Sequence, residues 1–172
     1  MALDDLCTAE TADQGIDIEI FHPGSGESLG IFIRMLGSDS EEYIEAERKI
    51  TNRQKEKAKR TRDFTAGMDY DQSQAALVEK MAACFVSWKE VVPGKDGQDP
   101  AFKPTIELKK GEELEATKNN FKKIISNRGF FWLRQQVQQG MDNVTNFLPP
   151  ARKSSESSPR INSDTKLQEK TE

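Results

Sequence analysis

Residues 16–36 read IDIEIFHPGSGESLGIFIRML. Ile16, Ile18 and Ile20 alternate with Asp17, Glu19 and Phe21, and Leu29, Ile31, Ile33 and Met35 alternate with Gly30, Phe32, Arg34 and Leu36. A repeat of two sends successive side chains to opposite faces, which is the geometry of a strand. The linking HPGSGES carries a proline and two glycines that supply turn conformations, so the stretch predicts a β-hairpin. Two strands alone are marginal in water, and the apolar face of this pair therefore predicts helices packed over it.

Downstream the period changes to that of helices. Gly37 ends the second strand, and Ser38 with Glu41 three residues on predicts a capping box that opens a helix. Tyr43, Ala46 and Ile50 form a short apolar stripe along it, after which residues 48–62, RKITNRQKEKAKRTR, are dominated by lysine and arginine. Such a run predicts a helix end that projects into solvent or meets an acidic surface. Past FTAGMDYDQ a second helix is expected near Gln72. Leu77, Met81, Cys84, Phe85 and Trp88 recur in helical steps beside Ala75, Ala76, Ala82 and Ala83, which assigns this segment to the centre of the fold. VPGKDGQDP, residues 92–100, has the composition of a surface loop. A third helix is expected from Glu112 to Ser126, with Leu114, Phe121, Ile124 and Ile125 on one side, acids at its start and Lys122, Lys123 and Arg128 at its end. Gly129 is the expected terminator.

Residues 127–148, NRGFFWLRQQVQQGMDNVTNFL, predict the last helix. Phe130, Leu133, Val137, Met141, Val144 and Leu148 share one side at three- and four-residue steps. Phe131 and Trp132 fall off that line, and rings in such places either fill a second core surface or meet a partner. The expected class is thus α+β and mainly helical: an N-terminal β-hairpin packed against about four helices over residues 16–148. Residues 1–15 are expected to form a flexible leader. Residues 149–172 contain no aromatic and little to bury, so a disordered tail is expected there.

Composition narrows the classes of function. With 35% apolar and 31% charged residues, a good part of the chain should be solvated. A net charge of −4 over 172 residues does not by itself call for a nucleic-acid or membrane partner. Cys7 and Cys84 match no metal or redox spacing, which predicts free thiols in a reducing compartment. No apolar run approaches the ~20 residues a bilayer needs, and the acidic start, MALDDLCTAETADQG, carries no signal-peptide pattern. A cytosolic protein is expected.

His22 lies in the hairpin turn with no local base or nucleophile beside it, so a turn role is expected. GSGESLG has the glycines of a phosphate loop, yet it lacks the lysine and joins two strands. Asp39 and Glu42 read as acids placed at a helix start. Cys84 reads as a small buried hydrophobe. No catalytic, cofactor-binding or metal-binding residues are predicted, and the expectation is a non-enzymatic binding protein.

Three stretches together resemble the tail assembly chaperones of long-tailed bacteriophages: IEIFHPGSGESLGIFIRMLGSDSEEYIEAERKITNRQ (residues 18–54), AACFVSWKEV (82–91) and FFWLRQQVQQGMDNVTNFL (130–148). The likeness rests on Pro23 and Gly24 in the turn, Gly37 to Ser40 before the helix, Trp88, the Gln135–Gln136 pair and the closing Asn146–Phe147, and it spans roughly residues 16–148. It implies a non-virion factor in the host cytoplasm that binds the tape measure protein, keeps it soluble and hands it over as tail tube protein polymerises around it. A groove edged by Phe131, Trp132, Val137 and Met141 is the expected contact for such an apolar helical client. Two other readings stay open: a structural virion component such as a tail completion protein, and a nucleic-acid-binding module using residues 48–62. Self-association is compatible with all three.

Overall fold

The computed structural model describes residues 6–63, 67–93 and 99–148. The fold is α+β, and the hairpin stands where the alternation places it. Strands β1 (Ile16–Phe21) and β2 (Ser28–Met35) pair antiparallel, with Ile18 opposite Ile33 and Ile20 opposite Ile31. His22 organises the turn: its Nδ1 accepts the backbone N–H groups of Gly24 and Ser25 at 3.2 and 3.0 Å.

Two strands not expected from the sequence extend this hairpin into a sheet of order β1-β2-β3-β4, with β3 spanning Phe85–Val92 and β4 spanning Ala101–Lys103. A separate antiparallel pair, β5 (Thr105–Lys109) and β6 (Glu112–Glu115), packs its Ile106, Leu108 and Leu114 against the same core. Five helices complete the described residues: α1 (Ala9–Gln14), α2 (Glu41–Thr61), α3 (Tyr70–Cys84), α4 (Lys118–Ser126) and α5 (Phe131–Asp142).

One face of the four-stranded sheet is covered. There α5 lies on β1 and β2, while α4 packs on α3 and β3. Ile18, Ile20, Ile33, Met35 and Trp88 from the strands meet Met81, Phe121, Ile125, Leu133, Val137 and Met141 from the helices. At the centre the Phe85 and Phe121 rings stack at 4.5 Å, and Trp88 meets Phe85 edge-on at 5.2 Å. The opposite face carries Phe32, Lys89 and Phe102, and the Lys89 ammonium lies 5.6 Å from one ring and 5.1 Å from the other. Lys89 also pairs with Asp17 at 2.5 Å, so charge and apolar stem together dress a solvated sheet surface.

Several expectations are corrected. Residues 9–14 of the expected leader form α1, which buries Ala12 completely, and residues 1–5 lie outside the described residues. It is tied down by the Gly37 N–H donating to the Ala12 carbonyl at 2.9 Å, by Arg34 donating to the Gln14 carbonyl at 3.0 Å, and by the Glu41 N–H donating to Asp13 at 3.0 Å. The cap of α2 is Ser40, two residues later than expected. Its buried hydroxyl accepts the Tyr43 N–H at 3.3 Å, while Ser38 reaches the Met141 carbonyl.

The central helix stops at Cys84, and Phe85 and Trp88 belong to β3. The helix expected from Glu112 begins only at Lys118, capped by the Thr117 hydroxyl, and Glu112, Glu113 and Glu115 lie in β6. Gly129 does not end it; the chain leaves α4 through the extended backbone of Asn127. On the last helix, the stripe holds for Leu133, Val137 and Met141 and then fails. The helix ends at Asp142, Val144 is 61% exposed, Leu148 is also exposed, and Phe147 enters the core from a 3-10 turn. The tail expected over residues 149–172 lies outside the described residues, as do residues 94–98 of the expected loop.

Among the described residues no helix is long and apolar enough to cross a membrane.

Candidate interaction site

The turn between α4 and α5 presents the aromatic cluster. Asn127 accepts the Gly129 N–H on its side-chain oxygen at 2.9 Å, which folds Arg128–Phe130 into a 3-10 turn and reverses the chain. The three successive rings therefore start a helix already pressed against the core. Phe130 and Trp132 pack partly buried onto it, and Phe131 turns outward with 44% of its surface exposed.

This placement divides the predicted groove. Val137 and Met141 cannot edge any surface groove, because both are sealed between α5 and the sheet, at 0% and 2% exposure. They lie on the stripe that also carries Leu133, and a stripe at helical spacing next to an apolar sheet face is consumed by that face. Trp132 is shared between core and rim. Phe131 is the exposed residue of the four.

Around Phe131 lies a cleft of about 660 Å³ lined by Tyr70, Asp71, Gln74, Ser126, Arg128, Phe131 and Arg134. Its walls come from the start of α3, the end of α4 and the start of α5. Asp69 positions Tyr70 by capping α3, with its carboxylate accepting the Gln72 N–H at 2.8 Å. Tyr70 is 73% exposed, the most open of the large apolar or aromatic side chains among the described residues. Arg134 follows Phe131 by three residues, so its guanidinium lies over the Phe131 ring at 5.0 Å while it reaches the Ile125 carbonyl at 3.5 Å.

Sequence reasoning singled out Phe131 and missed Tyr70, Arg128 and Arg134. Arg134 was legible in principle as the i+3 neighbour of an off-stripe ring; Tyr70 was not, because nothing local brings residue 70 to residue 131.

The remaining candidates have structural places. Asp39 accepts the Thr8 hydroxyl at 2.6 Å at the junction of α1 and α2. Cys7 is exposed and Cys84 buried, both free, and burial pushes the Cys84 thiol up to about 11. Within the basic run, Arg53 makes a two-pronged pair with Glu79 at 2.8 and 3.0 Å, and the bond to Glu79 holds that carboxyl below its usual range. Lys59 pairs with Glu56 along the helix. A second concavity, of about 390 Å³, follows the outer face of α5 and is lined by Gln135, Gln138, Gln139, Asp142 and Asn143.

What the Phe131 cleft offers chemically is contact: two aromatic surfaces, two guanidinium groups and a rigid helical frame. No protein-family model, curated protein or solved structure matches the chain.

Proposed function

We propose that this protein is a tail assembly chaperone of a long-tailed bacteriophage, acting without catalysis in the cytoplasm of the infected cell. It binds the tape measure protein, keeps it soluble and releases it as tail tube subunits polymerise. The observation that carries the reading is Phe131, a large ring left 44% exposed on the first turn of a helix whose other face is fixed in the core. Such a ring is rigid before binding, so little side-chain ordering opposes its burial by a client. A long helical tape measure protein exposes apolar faces that aggregate, and transient cover of those faces is what an assembly factor must supply.

The test is co-expression with the tape measure protein of the same phage, followed by co-purification. Phe131→Ala should leave the fold intact, since the ring faces out, and weaken capture about tenfold or more, the loss of ~1.4 kcal/mol or more expected of an aromatic contact. Undiminished capture by the folded variant removes the reading. Mass spectrometry of purified virions separates an escort, which should be absent from particles, from a structural tail component, which should be present.

A further inference from the structure

We infer that the cleft around Phe131 selects a helical client segment whose apolar face is flanked by carboxylates; the inference rests on the chaperone reading and specifies its client. The argument is one of charge. Arg128 and Arg134 line the cleft without an ion-pair partner among the described residues, against a single wall carboxylate, Asp71. Arg134 is held in place by the Phe131 ring and the Ile125 carbonyl, which leaves the rest of its donors for an incoming acceptor. Guanidinium donors fixed beside an aromatic ring match a carboxylate placed next to an apolar side chain.

The basic run adds to the same field. Arg53 pairs with Glu79 and Lys80 with Glu47, so α2 and α3 run antiparallel, and the C-terminal half of α2 lies toward the Tyr70 end of α3. Residues 48–62 hold eight lysines and arginines against one glutamate, in a chain whose net charge is −4. One end of an acidic protein is thereby made basic, and that end bears the exposed rings. A partner with acidic flanks is steered there and then buries its apolar face on Phe131 and Tyr70.

The full chain would be titrated with two synthetic amphipathic helices, identical on the apolar face but flanked by glutamates in one and by lysines in the other, with fluorescence anisotropy as the readout. The glutamate peptide should bind about tenfold or more tightly than its lysine twin, and rising salt should erode the difference. In Arg128→Glu/Arg134→Glu, checked as folded by circular dichroism, the preference should disappear or reverse. Arg128→Gln/Arg134→Gln provides the same test with less perturbation should the charge reversal disturb folding.

Equal binding of the twins, or binding of neither, overturns the inference. So does displacement of the glutamate peptide by duplex DNA at physiological salt, which would assign the basic end to phosphates. The two readings fail separately. If the twins bind alike while Phe131→Ala still loses the tape measure protein, the client chemistry is wrong and the chaperone role stands. If the acidic preference holds but the tape measure protein is not captured, the cleft serves a different acidic client.

Discussion

Gly140 sits in the last turn of α5, and a β-carbon placed there would lie 2.6 Å from Ile18 Cδ1 and 2.9 Å from its Cγ1. In an open helix, Gly→Ala stabilises by about 1 kcal/mol. Here the close approach reverses the sign, because Ile18 is stiff and held between β2 and the helix. Gly140→Ala should destabilise the fold by roughly 1–3 kcal/mol in a urea titration, and much less in an Ile18→Ala background, where the obstructing atoms are gone. Cys84 supplies a second test at this scale. Burial raises its pKa from 9.0 to about 11, so the buried neutral thiol contributes stability in full below about pH 9 and loses it as pH climbs through about 11. Relative to Cys84→Ala, the native chain should therefore lose roughly 2–3 kcal/mol of stability across that window. A thiol reagent at neutral pH should label exposed Cys7 in the folded protein and reach Cys84 only after unfolding.

At the scale of elements, β3 is the instructive case. Arg34 pairs with Ser87 and Met35 with Phe85, so Val86 is an extra residue that bulges from the ladder. A bulge shifts the alternation by one, and this one lets Phe85 and Trp88 both face the core although they are three residues apart. That spacing continues the helical steps of Leu77, Met81 and Cys84, which is why a helix through Trp88 was expected. Leu114 and Phe121 misled in the same way: seven residues apart, they suit two helical turns, yet the first belongs to a strand and the second to α4. The turn between β5 and β6 carries its own signal in Gly111, at a φ of +85°, a conformation that favours glycine. Trp88 links the two sheets, its indole N–H donating to the Leu114 carbonyl at 3.3 Å. Trp88→Ala should cost about 3–5 kcal/mol, and Trp88→Phe, which keeps most of the ring packing and loses the hydrogen bond, clearly less; chemical denaturation checks both. At the sheet's edge, the Gln136 amide accepts the Phe21 N–H at 2.9 Å and donates to the Phe21 carbonyl at 2.8 Å, doing for β1 what a neighbouring strand would do. Gln136→Leu should expose that edge and raise self-association, measurable by light scattering.

For the whole molecule, charge governs encounter more than stability. Of the ion pairs of α2, Arg53 with Glu79, Lys49 with Glu45 and Lys59 with Glu56 are substantially exposed, while in the pair of Glu47 with Lys80 the lysine is mostly covered. Arg53→Ala should leave the unfolding midpoint almost unchanged, and added salt should change stability little while weakening capture of an acidic client. The hairpin, the apolar stripe of α5 through Met141, the burial of Cys84 and the basic run were all legible in the chain, because each is a local repeat or a local composition. The docking of α1, the strands β3 to β6 and the meeting of Tyr70 with Phe131 were not legible. Periodicity records which side of an element is apolar, but a bulge can shift it, and it carries no information about which distant element will cover that side. Val137 and Met141 lie on the stripe of α5 and Phe131 off it, but the stripe alone does not say whether an off-stripe ring finds a second cover; packing against the sheet consumed the first two and left Phe131 exposed. The α+β class thus followed from local alternation, whereas the candidate surface formed only when the docking of α3, α4 and α5 brought Tyr70 beside Phe131.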